Sequence, residues 1–572
     1  MIYGFGLITI FMAWLLPGHY FPWTGFQQEF LAATGTCLLA MAIVLPGGPR
    51  RLPIPWIATV GLALAAVPLL QWTLGMFPFL ADAALPSMYL AAFGLSVVAA
   101  RALTRVHGQR FVGTLLGTIM VAGLASTGIG LVQWLQLGPL SYVETLAPGA
   151  RVFGNFTQPN HLSTALTLSI VAVLWFYETR RIGGVGASLA VAFLGFGMVM
   201  TQSRTGWVFV GVLVVWWFVM RRRHSLRTGP LAVLLGVGVF VAATLAWPPL
   251  NAFLLDLPSL PGLTISERMQ VGARRLNWAT LWDAVWRSPW FGYGWQQVSV
   301  AQQAAALDHP PSHEWVTYSH NLVLDLLVWT GVPLGLSVCA AIALWVGSRC
   351  MTCSDIDSWA MLAAGGALLI HALLEFPLAY AYFLLPLGIM IGVVEARTRD
   401  DEADTSLALP IWAFGLAAAA MTGMLAWVAI EYVEVEGTAR LVALREAGYA
   451  PGQAPPALPD VVLLDGQREF LWFRLTEARP GMDDQTLNRL RAVQRRFAPP
   501  AALLRYALAA GLNGRDDEAI RNLRLVCSLW PMTNCEEGRV SWTAAQAKFP
   551  QLARIAFPAG EAATSGMNSE LN

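Results

Sequence analysis

Apolar runs of bilayer-spanning length recur along this chain from its first residues to about 430. A helix needs roughly 20 mostly apolar residues to cross the hydrocarbon core. Segments of that kind lie near 2–16, 28–46, 54–72, 84–100, 111–135, 161–178, 184–201, 206–220, 229–247, 320–346, 358–375, 377–394 and 409–430. The expected class is therefore all-α: a polytopic membrane protein with about thirteen transmembrane helices. Composition agrees, with 56% hydrophobic and only 12% charged residues among 572. So few charges cannot wet the surface of a soluble protein this size. A formal net charge of +1 leaves no global basic field, so nucleic acid is not expected as a partner.

The arginine-rich connections are Arg50-Arg51, Arg101 to Arg110, Arg180-Arg181, Arg221 to Arg227, Arg349, and Arg397 with Arg399. With thirteen spans and a cytoplasmic N-terminus they all fall inside, as the positive-inside rule requires. The expected organisation is 1–247 as N-terminal spans, 248–319 as a large outer loop, 320–430 as C-terminal spans, and 431–572 as an outer helical domain. In a bacterium this means the inner membrane, with the loop and the tail in the periplasm. The stretch 504–520 resembles a TPR-like helix-turn-helix unit. Cys527 and Cys535 are a disulfide candidate, since an oxidising compartment permits pairing. Cys350 and Cys353 have no nearby further ligands and read as neither metal nor redox site.

Polar residues near bilayer depth are costly and mark function. Four clusters stand out: Gln158-Pro159-Asn160-His161, Gln202-Ser203-Arg204, His320-Asn321, and His371 with Glu375 followed by Pro377, Tyr380 and Tyr382. All are expected at the outer leaflet. The mid-span regions are apolar, which argues against a transporter with a midplane site or a channel with polar stripes. Arg268, Arg274 and Arg275 add positive charge to an outer loop, where it is usually scarce. A diphosphate would explain them, because guanidinium pairs bidentately with phosphate oxygens. Walker A, HExxH and GxSxG sequences are missing, so nucleotide-driven, zinc-hydrolase and serine-hydrolase chemistry are not expected.

His320-Asn321-Leu322 with Leu324, Leu327, Gly331 and Gly335 resembles a signature of the O-antigen ligase and polymerase superfamily. Ser203-Arg204-Thr205-Gly206 resembles its SRxG turn. Arg275, Trp278, Ala284, Pro289, Gly292 and Gly294 resemble its outer-loop pattern. Gln158 to His161 and Glu375 to Phe383 are similar to the bacterial PglL-like protein O-oligosaccharyltransferases, which also carry an extra helical tail.

The resemblance implies a GT-C-like transferase that needs no metal or other cofactor. It would move an oligosaccharide from undecaprenyl-diphosphate to Ser or Thr hydroxyls of pilin or other periplasmic proteins. Arg204 and Arg275 are expected to neutralise the diphosphate, with Arg268 and Arg274 as alternates. His320 would act as base or as diphosphate ligand. Gln158, His161 and Asn321 would orient the donor, and His371, Glu375, Tyr380 and Tyr382 would close the acceptor side. A ligase acting on lipid A-core is the nearest alternative, and a polysaccharide or lipid transporter the remote one.

Overall fold

The computed structural model describes the chain except residues 20, 45–49, 139, 157, 224, 257–271, 399–406, 450–453 and 559–572. Arg268 and Arg399 lie outside the described residues. The fold is all-α. Eleven helices among the described residues are long and apolar enough to cross a membrane. Two further expected segments are also apolar helices, Ile2–Met12 with the turn Ala13–Leu15 and the 17-residue Ala381–Arg397, but both are shorter. A two-stranded antiparallel ribbon ties Arg51–Pro53 to Ala408–Pro410.

One apolar core fills the helical bundle. Leu115, Leu162, Leu166, Val173, Ala364, Phe383 and Val393 within it are fully enclosed or nearly so. The Pro159–Glu178 helix is wrapped on most sides and buries polar groups as well as apolar ones. Its Ser, Thr and His side chains must therefore find partners inside the protein.

The helix ends divide into two sets. At one end, Arg349 pairs with Glu395 at 2.7 Å and Arg397 pairs with Asp357. Trp175 donates to Asp357 at 2.8 Å, and Arg223 donates to the Cys350 carbonyl at 2.9 Å. The arginines of the expected inner loops thus gather together. At the other end lie the starts of Pro159–Glu178, Arg204–Arg223 and Leu322–Thr352, and the close of Ile356–Leu374. The four polar clusters of the sequence are all at this second end.

The large loop between the Pro230–Leu254 and Leu322–Thr352 helices contains two α-helices among its described residues. Gly272–Arg287 and Val298–Ala305 pack on each other and on the Leu322–Thr352 helix. That long helix is broken at Gly331, whose φ is +78°. Gly292 (φ +68°) is pressed into the break. A Cβ there would lie 2.4 Å from the Val328 carbonyl oxygen, and one on Gly331 would lie 2.4 Å from that of Trp290. Both positions thus require glycine for backbone angle and for space. Val332 then donates to the Pro289 carbonyl at 2.7 Å and Tyr293 to that of Val328 at 2.8 Å, so the break is satisfied by the loop.

Two expected boundaries fall inside helices. Pro230–Leu254 continues past 247 through Pro248 and Pro249, and Ile411–Glu446 continues past 430 into the tail. Beyond it, the helices Asp465–Leu475, Asp484–Arg496, Pro500–Leu512, Asp516–Leu529 and Met532–Lys548 share a separate core around Leu490, Tyr506, Leu523 and Trp542. Cys527 and Cys535 are joined by a disulfide. The tail docks on the polar end of the bundle. Asp465 accepts from the Leu80 and Ala81 amides at 2.8 Å each, capping Ala81–His107, and Arg496 Nε donates to both Asp82 oxygens at 2.9 and 2.8 Å.

Candidate active site

The His320 turn is built by its neighbours. His320 has φ +59°, an uncommon state for a side chain with a Cβ. It is held there by locks on both sides. Ser319 donates its amide to Asp325 at 2.7 Å and its hydroxyl to the Asn321 carbonyl at 2.9 Å. Asn321 caps the next helix by accepting from the Leu324 amide at 3.1 Å, and its Nδ2 donates to the Leu373 carbonyl at 3.0 Å. Trp278 donates to the Ser319 carbonyl at 2.7 Å, pinning the loop helix to the same turn.

Glu375 is the hub. It follows the Ile356–Leu374 helix in extended conformation, with its amide donating to the His371 carbonyl at 2.8 Å. One oxygen pairs with His320 Nδ1. The other accepts from Arg274 at 2.8 Å and from Asn160 Nδ2 at 3.3 Å. Burial alone would raise this carboxyl. The hydrogen bond and charge of His320, with the charge and hydrogen bond of Arg274, outweigh burial and hold it at about 2, below its ordinary 4.5. An ionised carboxylate only accepts, so Nδ1 of His320 donates. Among the described residues nothing hydrogen-bonds Nε2, and the ring is part exposed. Nε2 is left to accept a proton, as in other carboxylate-oriented histidines.

Asn160 links this group to the Ser203–Arg204 turn. Its Oδ1 accepts from Ser203 Oγ at 2.7 Å and from Arg151 at 3.3 Å, and Arg151 Nε also donates to the Thr201 carbonyl at 2.9 Å. Arg204 is the first residue of its helix and is exposed, as is Arg275. Among the described residues neither has a salt-bridge partner. Arg274, expected only as an alternate to Arg275, is the arginine that turns inward.

The remaining expected residues fall into two groups. Gln158 caps the start of Pro159–Glu178 through its carbonyl, half-buried. His161 and His371 lie inside the bundle, at most 1% exposed. His161 Nδ1 meets the Tyr382 hydroxyl at 3.1 Å, and His371 Nδ1 meets Thr164 at 2.8 Å. Tyr382 is equally enclosed, so these three stiffen the wall behind Glu375 rather than face solvent. Tyr380 stands between that wall and Phe376. Burial raises its hydroxyl to about 12, helped by Glu29 and Glu375. Asn321, with both side-chain ends bonded inside the protein, shapes the turn.

Glu375, Phe376 and Tyr380 border a cavity of about 450 Å³. It descends past Leu384 and Leu387 to Ile391 and Trp345, so it follows the bundle inward between mostly apolar walls. Arg496 and Phe497 of the tail line it as well. A charged rim above a long greasy slot suits an amphiphile with an anionic head.

Comparison with known proteins gives three family matches in chain order: protein glycosylation ligase at 152–177, O-antigen ligase at 189–339, and the C-terminal part of a membrane-bound polymerase virulence factor at 359–544. The general O-oligosaccharyltransferase of Acinetobacter baylyi is 30% identical over 519 residues, covering 87% of this chain and 87% of that protein. The chain belongs to the PglL-like O-oligosaccharyltransferase family. It is a multi-pass membrane glycosyltransferase. A ComP-specific O-oligosaccharyltransferase of the same organism is 28% identical over 271 residues, 47% of this chain and 48% of that protein.

For a member of this family, the structure separates scaffold from chemistry within the signature residues. Gly292, Gly331, Trp278 and Asn321 build the His320 turn and its loop, while His320 and Glu375 meet at the cavity rim. Sequence reading left out Arg151 and Thr164 as site partners, and treated Asn160 and Ser203 only as motif members. The signal for Asn160 was available: it opens a span whose first turns, Asn160, His161, Ser163 and Thr164, are unusually polar.

Proposed function

We propose that this chain transfers an oligosaccharide en bloc from undecaprenyl-diphosphate to Ser or Thr hydroxyls of pilin or other periplasmic proteins, at the periplasmic face of the inner membrane. The observation that carries the reading is the Arg274–Glu375–His320 constellation at the rim of the apolar cavity. The cavity takes the polyprenyl tail, which places the diphosphate at the rim. Arg204 and Arg275, which have no ion pair to give up among the described residues, close on the phosphate oxygens.

The acceptor hydroxyl attacks the anomeric carbon. Its proton passes to His320 Nε2, the new glycosidic C–O bond forms, and the anomeric C–O bond to phosphate breaks. The electron pair leaves on the lipid diphosphate. Glu375 holds the imidazole in the tautomer that receives the proton and stabilises the imidazolium that results. The guanidinium groups stabilise the charge that develops on the leaving phosphate. Among the described residues no three His, Cys, Asp or Glu side chains gather as a metal site, and the scheme assigns the neutralising role to arginine.

Purified protein in detergent, given lipid-linked oligosaccharide and a pilin peptide, is expected to glycosylate the peptide, and to do so in EDTA. Transfer to lipid A-core with none to peptide would replace this reading with the ligase alternative. Arg204→Lys keeps the charge and loses the bidentate fork, so transfer is expected to fall at least tenfold. Unchanged transfer would remove Arg204 from the site.

A further inference from the structure

The Gly272–Arg287 helix turns an unusual face outward. Trp278, Trp282 and Trp286 recur every four residues, and Trp290 continues the spacing into the following turn, beside Phe291. Four-residue steps keep side chains on one side of a helix. Exposure grows along the series, from 36% at Trp278 to 51%, 58%, 71% and 72% at Trp282, Trp286, Trp290 and Phe291. The opposite side is packed inward through Asn277, Thr280, Leu281, Ala284 and Val285.

A third side is ionic, where Arg287 pairs with Asp283 at 2.6 Å and Asp308 at 2.8 Å. Water is thus well served on one side, and the tryptophans point elsewhere. Four large apolar groups side by side are not left to solvent without a reason. Among the described residues the indole N–H groups of Trp282, Trp286 and Trp290 have no acceptor. That combination of apolar body and unspent donor fits the lipid headgroup region, where tryptophan concentrates.

The patch also joins a surface that already faces lipid. Trp290 and Phe291 sit against the break at Gly331 in the membrane-crossing Leu322–Thr352 helix. On that helix Leu334, Leu336 and Leu344 are exposed at 38%, 52% and 69%. The same lipid that covers them continues upward onto the tryptophans.

We propose that Trp282, Trp286, Trp290 and Phe291 form a bilayer-seated face, by which the Gly272–Arg287 helix lies along the headgroup region. The helix carries Arg274 to Glu375 and Trp278 to Ser319. Seating it in the interface therefore fixes the height of the His320 turn relative to lipid headgroups. The proposal concerns depth in the membrane and stands whatever the reaction is.

The test uses the full chain in nanodiscs of phosphatidylethanolamine and phosphatidylglycerol. Cys339 and Cys350 are changed to Ala, and the buried Cys37 and Cys353 are kept. A bimane dye is attached at Trp286→Cys, at Ala279→Cys on the same side, and at Gln485→Cys in the exposed part of the tail. Doxyl groups on lipid chains are expected to quench positions 279 and 286 several-fold more than aqueous iodide does, with the reverse at 485. Iodide quenching at 279 and 286 equal to that at 485 would overturn the proposal, placing the face in water. Quenching by neither agent would overturn it too, showing that protein covers the face. Should Trp286→Cys misfold, Ala279→Cys removes no aromatic ring and decides alone.

Discussion

Glu375 holds together groups from three other stretches of chain, and its charge state decides whether they stay together. Glu375→Gln keeps the shape and an acceptor but removes the negative charge between Arg274 and His320. Glycan transfer is expected to fall by two orders of magnitude or more, since histidine loses its orienting carboxylate. The protein should stay folded, less stable by about 1.5–3 kcal/mol, the scale of a charged hydrogen bond. The pH sign follows from the carboxyl being held at about 2 rather than 4.5. Its stabilisation is complete above about 4.5 and is lost as pH falls through 2. The melting-temperature gap between wild type and Glu375→Gln should therefore be constant from pH 8 to about 5 and shrink below that. A gap that widened on acidification would contradict the assignment. Sequence reading grouped Glu375 with His371 and did not name His320, Arg274 and Asn160 as its partners, because they come from stretches remote in the chain. Arg274 and Arg275 could not be told apart from sequence, because adjacent helical residues differ only by a rotation that tertiary packing sets.

At the scale of elements, hydropathy made the membrane helices legible and left the broken one hidden. An apolar run such as 320–346 predicts one span, and Gly331 within it stands out only as a member of the family signature. What breaks the helix is an event remote in sequence, the insertion of the Trp290–Gly292 turn. Gly292→Ala tests that lock. The added methyl would meet the Val328 carbonyl oxygen at 2.4 Å, in a backbone state unfavourable to alanine. Strain and overpacking together should cost on the order of 3 kcal/mol or more. Because the same loop helix carries Trp278 and Arg274, transfer should fall along with the melting temperature. Gly347→Ala in the same helix has open space at its Cβ and should leave both unchanged. Equal effects of the two substitutions would mean that the break is not held by this contact. Some helix ends carry a capping residue and others do not. Asp355 and Asp483 mark starts by accepting from amides two or three residues on, whereas the tail's first helix is simply the last membrane helix extended.

The whole molecule closes its site with a part that sequence alone treated as separate. A charged helical tail after an apolar bundle suggests an independent domain, and the tail does have its own core. Yet Arg496 reaches back to Asp82 and lines the cavity that Glu375 borders. Long-range pairs of this kind leave no periodic trace in sequence, since 414 residues separate the partners. The pair is well shielded, and breaking one side of a buried pair costs about 3–5 kcal/mol, because the other charge is left without a partner. Asp82→Asn and Arg496→Gln should each loosen the tail where it meets the bundle. The measurement is amide hydrogen exchange over 484–496 in the full chain, where protection should fall in either variant. The double variant, with neither charge, should recover part of that protection, because no unpaired ion remains. Protection over 500–529 should hold in all three, since that core is made mostly by tail residues such as Tyr506, Ala519 and Leu523, with Phe79 of the membrane part at its edge. If exchange over 484–496 were the same in the single variants as in the wild type, the tail would be held by its other contacts, such as Asp465 at the Leu80 and Ala81 amides. Loss of protection throughout 465–555 would instead mean that the tail folds only against the membrane part.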